Sequence, residues 1–310
     1  MEKIAVIGAG TMGHCFAMLF AQKGHQVRLN DISEDILQRA EKLIFANLET
    51  MAQAGLFDLK DRPAVMERIE FTTDLARAVA QADLVIEAII ENEQAKKELF
   101  RELDRLAPPL AVLASNTSYL DLYKFVETKR PDKVIMAHWF APPHIIPLVE
   151  IVQGPETSPE TVAFTKGILD RLGKTTIVLK KYLPGFIANR MQMAMTLEVM
   201  NLLDNGYATP EDIDKAVKSS FSLRTPILGL VQRLDFTGMD MVQRSLAAKT
   251  YKPPEIRGRS DAVDALIEQG RMGVMSGKGF YDYQGRSPEE IMRERDIRFL
   301  KLRKFLDELE

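Results

Sequence analysis

The chain has 310 residues, of which 46% are hydrophobic and 27% are charged, and this ordinary globular composition excludes a largely disordered or fibrous protein. Lysine and arginine number 41 against 44 aspartates and glutamates, so no basic excess favours nucleic acid or an anionic membrane surface as a partner. A single cysteine, Cys15, excludes an internal disulfide and a Cys-rich zinc site. The length predicts two domains, and we expect a cytoplasmic protein without a signal peptide or a membrane span.

The first half of the sequence alternates between strand and helix patterns. An apolar run at 3–7 predicts a buried strand, and a helix at 11–23 follows the glycine-rich turn after it. The pattern continues with a strand at 26–30, a long helix capped by Ser33, and a charged segment near 58–68 that closes a helical hairpin. Further strands are predicted at 84–88, 111–114, 133–137, 148–152 and 175–179, with helices at 92–106 and after Ser158. Such repeated units predict a mostly parallel sheet with helices on both faces.

The second half has a different pattern, which begins after Pro184-Gly185. We therefore predict an α/β domain at 1–183 and an all-α domain at 184–310. The helix over 186–204 has apolar residues nearly all round, and we expect it to be buried on every side. Helices are predicted at 186–204, 210–219, 226–235, 238–248, 260–269 and 288–308, with one short strand at 280–283.

The glycine-rich turn is Gly8-Ala9-Gly10-Thr11-Met12-Gly13, which places three glycines between a strand and a helix. Gly8 permits a tight turn, Gly10 lets a pyrophosphate approach the backbone, and Gly13 permits close packing of helix on strand. Asp31 ends the next strand, where a carboxylate accepts hydrogen bonds from ribose hydroxyls and repels a 2′-phosphate. We therefore predict that these residues bind NAD rather than NADP. The alternative is a glycine turn without a ligand.

His138 and Glu150 form a second candidate site. His138 ends a predicted strand, and Glu150 lies on the next strand after a proline-rich loop, so the two returning strands bring the side chains together. A carboxylate beside an imidazole raises its basicity, and oxidation of an alcohol needs a base for the hydroxyl proton. The alternative interpretation is a structural histidine.

Several motifs occur together in one order along nearly the whole chain. They are the glycine turn, Ala82-Asp83-Leu84-Val85-Ile86-Glu87-Ala88, Ser115-Asn116-Thr117-Ser118, His138 with Glu150, and Pro184-Gly185-Phe186-Ile187-Ala188-Asn189-Arg190. In this combination the chain resembles the L-3-hydroxyacyl-CoA dehydrogenase family. The resemblance implies an α/β protein with a Rossmann-type, mostly parallel sheet and a helical insert, followed by an all-α C-terminal domain. It also implies an NAD-dependent oxidoreductase of fatty acid metabolism.

The resemblance implies roles for four candidate catalytic residues. His138 is the general base in oxidation and the general acid in reduction, and Glu150 orients it. Ser118 and Asn189 hydrogen-bond the substrate and polarise its carbonyl group. The alternatives are a turn at a strand end for Ser118 and an early-helix polar contact for Asn189.

The resemblance also places three residues at the cofactor. Glu91 and Lys96 lie around the nicotinamide and ribose, and Ser118 is counted with them; solvated helix charges are the alternative for Glu91 and Lys96. Because relatives dimerise through the C-terminal domain, a homodimer is implied as well.

Three departures from the family pattern concern the substrate. Alanine stands at 141 where the acyl-CoA enzymes have asparagine, methionine stands at 275 where they have lysine, and residues 43–57 contain no lysine or arginine for a CoA phosphate. The resemblance implies a short 3-hydroxyacyl-CoA, such as 3-hydroxybutyryl-CoA, as the substrate. The alternatives are a non-CoA β-hydroxy acid or alcohol of the gulonate, carnitine or pyridine-alcohol type, and a non-catalytic NAD-binding structural protein. His144 is either a contact for a substrate carboxylate or an exposed loop residue.

Overall fold

The computed structural model describes residues 1–309, and eight strands in this part of the chain form one sheet. The strands are β1 (Lys3–Ile7), β2 (Gln26–Asn30), β3 (Ile69–Thr72), β4 (Leu84–Glu87), β5 (Val112–Ser115), β6 (Val134–Trp139), β7 (Leu148–Val152) and β8 (Thr175–Leu179). Their order is β3-β2-β1-β4-β5-β6-β7-β8. All neighbours pair in parallel except β6 and β7, which pair antiparallel. The carboxyl ends of β1 to β6 therefore share one edge of the sheet.

The helices of the sheet region cover both faces. They are α1 (Gly13–Gln22), α2 (Glu34–Gln53), α3 (Arg62–Glu67), α4 (Leu75–Val79), α5 (Glu93–Leu106), α6 (Leu122–Phe125) and α7 (Pro159–Arg171). Alternate residues of β1 point to opposite faces: Ile4 belongs to one buried hydrophobic cluster with Phe16 of α1, and Ala5 belongs to the other with Phe100 of α5. Each fully buried large apolar side chain contributes about 1.5–3 kcal/mol, so the two clusters fix the sheet between its helices.

The rest of the chain is helical. Its helices are α8 (Ala188–Asp204), α9 (Pro210–Ser219), α10 (Phe221–Leu228), α11 (Gln232–Thr237), α12 (Met239–Ala248), α13 (Asp261–Glu268) and α14 (Pro288–Asp307). The chain divides into two compact units, the first comprising Met1–Ala188 with Asp296–Arg303 and the second comprising Asn189–Arg295 with the residues from Lys304 onward. In the first unit, Leu300 is buried in a small cluster with Ala54 of α2 and Ile145.

Two expectations about elements are wrong, and three short elements were not predicted. The latter are strand β3 and helices α4 and α6, because β3 is a four-residue edge strand and the helices have five and four residues, which is too short for a periodic pattern. The strand predicted at 280–283 is wrong, since only an isolated bridge between Asp282 and Lys278 occurs there. The single helix predicted at 226–235 is two helices, α10 and α11, which Gly229 separates with its positive φ of 66°.

Helix α8 also differs from expectation. None of its residues is buried in the single chain, although we expected burial on all sides. Met191, Met193 and Met195 are 45%, 50% and 48% exposed. The apolar surface that the sequence pattern predicts is present, but the single chain leaves it uncovered.

None of the helices in residues 1–309 combines the length and the hydropathy that a membrane span requires.

Candidate active site

The glycine turn after β1 is shaped by close backbone contacts. Gly8 has a φ of 98°, and a Cβ there would lie 2.5 Å from the carbonyl oxygen of Ala88. A Cβ on Gly13 would lie 1.7 Å from the carbonyl oxygen of Gly8, so only glycine fits where α1 begins. Gly10 differs, because a Cβ on it would meet no atom within 4 Å. The turn therefore presents an open backbone face at Gly10, next to the N-terminus of α1, and this arrangement suits a pyrophosphate.

The carboxylate of Asp31 lies against this turn. Asp31 follows β2, and its Oδ2 accepts a hydrogen bond of 2.7 Å from the amide nitrogen of Ala9. Thr11 is exposed and Met12 is half-buried, directly before the first residue of α1. The structure thus brings all the predicted residues of the glycine turn together with Asp31.

A buried ion pair lies at the end of β4. The Glu87 carboxylate accepts hydrogen bonds from Lys96 Nζ at 2.6 Å and from Ser115 Oγ at 2.5 Å. Glu87 is fully buried and Lys96 is 1% exposed, so the solvated-charge interpretation of Lys96 is wrong. The predicted strand contained Glu87 without a role for it, because nothing in a single carboxylate shows which cation will reach it.

Glu91 extends this network toward Ser118. Its Oε1 accepts hydrogen bonds from Thr117 Oγ1 at 2.6 Å, from Ser118 N at 2.9 Å and from Tyr119 N at 3.1 Å. Burial would raise the pKa of Glu91, but these hydrogen bonds and Lys96, whose Nζ lies 3.4 Å away, hold it below its ordinary value. Glu91, Lys96 and the backbone of Ser118 therefore form one cluster at the carboxyl ends of β4 and β5.

His138 and Glu150 lie opposite each other on the antiparallel strands β6 and β7. His138 Nδ1 is 3.1 Å from Glu150 Oε2, and both side chains are buried. The other carboxylate oxygen, Oε1, accepts hydrogen bonds from the amide nitrogens of Ile187 at 2.9 Å and Ala188 at 3.0 Å. Burial would raise the pKa of Glu150, but the hydrogen bonds from His138 and these two amides lower it below its ordinary value. An ionised carboxylate is thus held at Nδ1.

This contact assigns different properties to the two ring nitrogens of His138. Nδ1–H donates to the carboxylate, so Nε2 keeps its lone pair and is the nitrogen able to take up a proton. The rings of Phe140 and Phe186 pack on the imidazole with centroids 4.6 Å and 5.1 Å away. Such a buried, aromatic surrounding strengthens the interaction of the ring with Glu150.

Asn116 connects the β5 and β6 ends of the site. Its Oδ1 accepts a hydrogen bond of 2.9 Å from the backbone nitrogen of Trp139, the residue after His138. The segment after β5 that contains Ser118 and the end of β6 that contains His138 are therefore joined by one side chain. Asn116 was part of a predicted motif, but sequence alone gave it no role.

The loop between β6 and β7 is held by Lys174, another residue that the sequence patterns did not single out. Lys174 is 7% exposed, and its Nζ donates to the carbonyl oxygens of Pro143 and, at 3.0 Å, Ile146. Burial lowers the pKa of this amine to about 7. His144 in the same loop is 4% exposed, so the exposed-loop interpretation of His144 is wrong.

Asn189 is the first residue of the second unit. It directly follows Ala188, whose amide nitrogen donates to Glu150, and it lies in the first turn of α8. Its contact with substrate stays a prediction.

Two family models cover most of the chain. The model of the 3-hydroxyacyl-CoA dehydrogenase NAD binding domain matches residues 3–182, and that of the 3-hydroxyacyl-CoA dehydrogenase C-terminal domain matches residues 185–283. The chain belongs to the 3-hydroxyacyl-CoA dehydrogenase family. The protein is therefore an NAD-dependent oxidoreductase, and the open backbone face at Gly10 fits the cofactor of this family.

The chain is similar to individual members of the 3-hydroxyacyl-CoA dehydrogenase family over most of its length. The chain is 30% identical to a 5-formyl-3-hydroxy-2-methylpyridine 4-carboxylate 5-dehydrogenase of Mesorhizobium japonicum over 99% of both chains. It is 35% identical to a probable 3-hydroxybutyryl-CoA dehydrogenase of Deinococcus radiodurans, over 91% of this chain and all of that protein. A crystal structure of a dehydrogenase of the same pyridine compound, described as an NAD+ dependent dismutase, has a TM-score of 0.85 at 28% identity, with 99% of each chain covered.

Proposed function

We propose that the protein catalyses reversible hydride transfer between NAD and a hydroxyl-bearing carbon, with His138 and Glu150 as its acid–base pair. The observation that carries this proposal is the buried contact of 3.1 Å between His138 Nδ1 and Glu150 Oε2, at a sheet edge that also holds the glycine turn. NAD, when bound, supplies the acceptor or donor of the hydride. Gly8, Gly10, Gly13 and the first turn of α1 would hold its pyrophosphate, and Asp31 its ribose.

The protein's own residues handle the proton. In oxidation, Nε2 of His138 removes the hydroxyl proton, and in reduction the imidazolium returns it. Glu150 stabilises the imidazolium because its ionised carboxylate already faces Nδ1. Ser118 and Asn189 hydrogen-bond the carbonyl group of the substrate and orient it. Glu91 lies near the nicotinamide and ribose, and the buried Lys96 acts there through its contact with the Glu91 carboxylate. The intact set of these residues supports an enzyme over a non-catalytic NAD-binding protein.

The first candidate substrate is a short L-3-hydroxyacyl-CoA, oxidised at C3. Membership of the 3-hydroxyacyl-CoA dehydrogenase family supports it, as does similarity to a protein named as a probable 3-hydroxybutyryl-CoA dehydrogenase. In this case, groups that the sequence pattern did not identify hold the CoA phosphates.

The second candidate is a non-CoA hydroxy acid or alcohol, and the charges of the helical insert favour it. Residues 43–57 contain no lysine or arginine. Of the cations that follow, Lys60 lies 2.7 Å from Asp58, and Arg62 lies 3.6 Å from Glu49. A CoA phosphate needs charge-assisted donors, which residues 43–57 do not supply and which Lys60 and Arg62 would supply only in competition with these carboxylates. The similarity to the pyridine-compound dehydrogenase over almost the full length supports the same candidate.

The deciding experiment is NADH oxidation with acetoacetyl-CoA beside free acetoacetate at matched concentration. Rapid turnover of only the thioester supports the first candidate. No turnover of either compound, with NADH still bound, overturns the first candidate and directs a screen to gulonate, carnitine and pyridine alcohols with NAD. His138→Gln serves as the control in every assay, because turnover that survives this change does not come from the proposed site.

We also infer a homodimer formed through the second unit. The half-exposed methionines of α8 support it, as do Leu223, Val231 and Phe236, which are 72%, 77% and 74% exposed. Apolar surface of this extent on one unit is typical of an interface. Light scattering coupled to size-exclusion chromatography measures the mass directly, and the mass of one chain would overturn the inference.

A further inference from the structure

The first turn of α1 contains a buried histidine that the proposed chemistry does not use. His14 is 5% exposed, and its Nδ1 lies 2.7 Å from the carbonyl oxygen of Gly10. Gly10 is the glycine whose open backbone face suits the cofactor. The imidazole therefore touches the same residue as the cofactor would, but from the interior of the protein.

The partner on the other side of the ring determines where its proton lies. His14 Nε2 is 3.2 Å from Nδ2 of Asn47, an amide nitrogen of helix α2 that has only hydrogens to offer. Nε2 must therefore accept, and the single ring proton of the neutral imidazole sits on Nδ1, from which it is donated to Gly10. The second amide hydrogen of Asn47 has its own acceptor, the Sγ of Cys15 at 3.4 Å.

The groups around His14 favour this neutral form. Burial lowers its pKa, the hydrogen bond to Gly10 acts in the opposite direction, and Arg39 of α2 lowers it further. On α1, Cys15 Sγ lies 3.2 Å from His14 Nε2, and burial raises the pKa of this thiol to about 12, so it stays uncharged. From the β6–β7 loop, His144 Nδ1 lies 3.5 Å from the same sulfur.

We propose that His14 and Asn47 are positioning residues for the cofactor, in which Asn47 fixes the tautomer of His14 and His14 holds the Gly10 carbonyl so that the turn stays open for the pyrophosphate. The affinity for NADH then depends on Asn47, a residue of the helical insert that reaches the Gly10 carbonyl through His14. This role is separate from the acid–base pair and does not depend on the identity of the substrate.

The affinity for NADH should depend on the protonation of His14. Protonation of His14 places a hydrogen on Nε2, where it faces the amide hydrogens of Asn47 and separates α2 from the turn. The affinity for NADH should therefore weaken in acid, below the ordinary histidine pKa of 6.5. In Asn47→Asp, a carboxylate accepts from the imidazolium while Nδ1–H still donates to Gly10, so this variant should lose most of that acid sensitivity.

The experiment is a fluorescence titration of the full-length protein with NADH. His14→Leu removes the ring hydrogen bonds at similar volume and should raise the dissociation constant about tenfold, as expected for one lost buried hydrogen bond. The matched control is His25→Leu: His25 is 4% exposed and its Nδ1 lies 3.1 Å from the carbonyl oxygen of Glu2, away from the glycine turn. The affinity of His25→Leu for NADH should equal that of the unmodified protein.

Two further variants test the proposal if His14→Leu does not fold. Asn47→Ala should weaken NADH binding by about threefold, and His14→Gln, whose amide still donates to Gly10, should restore part of the loss. Unchanged NADH affinity in folded His14→Leu or in Asn47→Ala overturns the proposal. So does a nitrogen-15 NMR spectrum that places the ring proton of His14 on Nε2. Failure of the unmodified protein to bind NADH would instead contradict the cofactor assignment.

Discussion

The candidate site extends along the carboxyl edge of the sheet from β1 to β7, and its two ends form in different ways. We call them the backbone end, at β1, and the side-chain end, at β6 and β7. At β1, the shape comes from backbone: Gly8 and Gly13 permit contacts that no Cβ would allow, and Gly10 leaves an open face. At β6 and β7, the shape comes from two buried side chains, His138 and Glu150, that antiparallel pairing places opposite each other. Removal of a side chain should therefore affect the chemistry at the side-chain end, whereas addition of a side chain should affect cofactor binding at the backbone end.

The largest expected effect tests the side-chain end. His138→Gln removes the base at Nε2 and should lower turnover by about 10²–10⁴-fold, while the dissociation constant for NADH stays within about twofold. Steady-state kinetics and a binding titration on the same preparation measure both. Near-normal turnover would remove His138 from its proposed role, and a parallel loss of NADH affinity would show that the two ends are not separable.

The next effect concerns the buried network between the two ends. Lys96→Met leaves the carboxylates of Glu87 and Glu91 without their cation, and breaking such a buried pair should cost about 3–5 kcal/mol of unfolding free energy. The neighbour provides the control: Lys97 pairs at 2.6 Å with Glu127, which is 61% exposed, so Lys97→Met should change little. Urea denaturation of both variants measures the difference. Equal stabilities would show that Lys96 has the solvated role that we rejected.

Two substitutions in the glycine turn test the backbone end. Gly13→Ala forces a Cβ against the Gly8 carbonyl and should destabilise the protein by about 1–3 kcal/mol or more. Gly10→Ala meets no protein atom, so stability should hardly change while the dissociation constant for NADH rises by about tenfold. Thermal unfolding and an NADH titration separate the two. A stability loss in Gly10→Ala without an affinity loss would contradict the assignment of the open face.

Sequence patterns predicted the glycine turn more fully than the contact between His138 and Glu150. The glycine turn is a local motif, and β7 and β8 have the predicted bounds of 148–152 and 175–179. The spacing of His138 and Glu150 indicated two returning strands, but the register that sets their contact depends on tertiary packing. The burial of Lys96 and the tautomer of His14 depend on partners 9 and 33 residues away, which no local pattern identifies. The exposed face of α8 illustrates the same limit, since a periodic apolar pattern predicts burial without naming what covers it.

The smallest expected effect links the acid–base pair to stability. Because the pKa of Glu150 in the folded protein lies below its ordinary value of 4.5, its carboxylate stabilises the fold above that pH. This contribution is lost as the pH falls through the lowered pKa of the folded protein. It amounts to about 1.4 kcal/mol for each tenfold difference in proton affinity between the unfolded and the folded protein. Glu150→Gln cannot titrate, so its unfolding free energy should fall less than that of the unmodified protein between about pH 6 and pH 3.

Urea denaturation at several pH values measures this difference, and turnover at neutral pH provides the second measurement. The amide group introduced by Glu150→Gln would donate to Nδ1 of His138 and move the ring proton to Nε2, so turnover should fall although the fold is kept. Equal acid sensitivity in both proteins would show that the hydrogen bonds from Ile187 and Ala188 do not hold Glu150 ionised. The side-chain end would then resemble the backbone end, with hydrogen bonds between neutral groups rather than an ionised carboxylate setting its geometry.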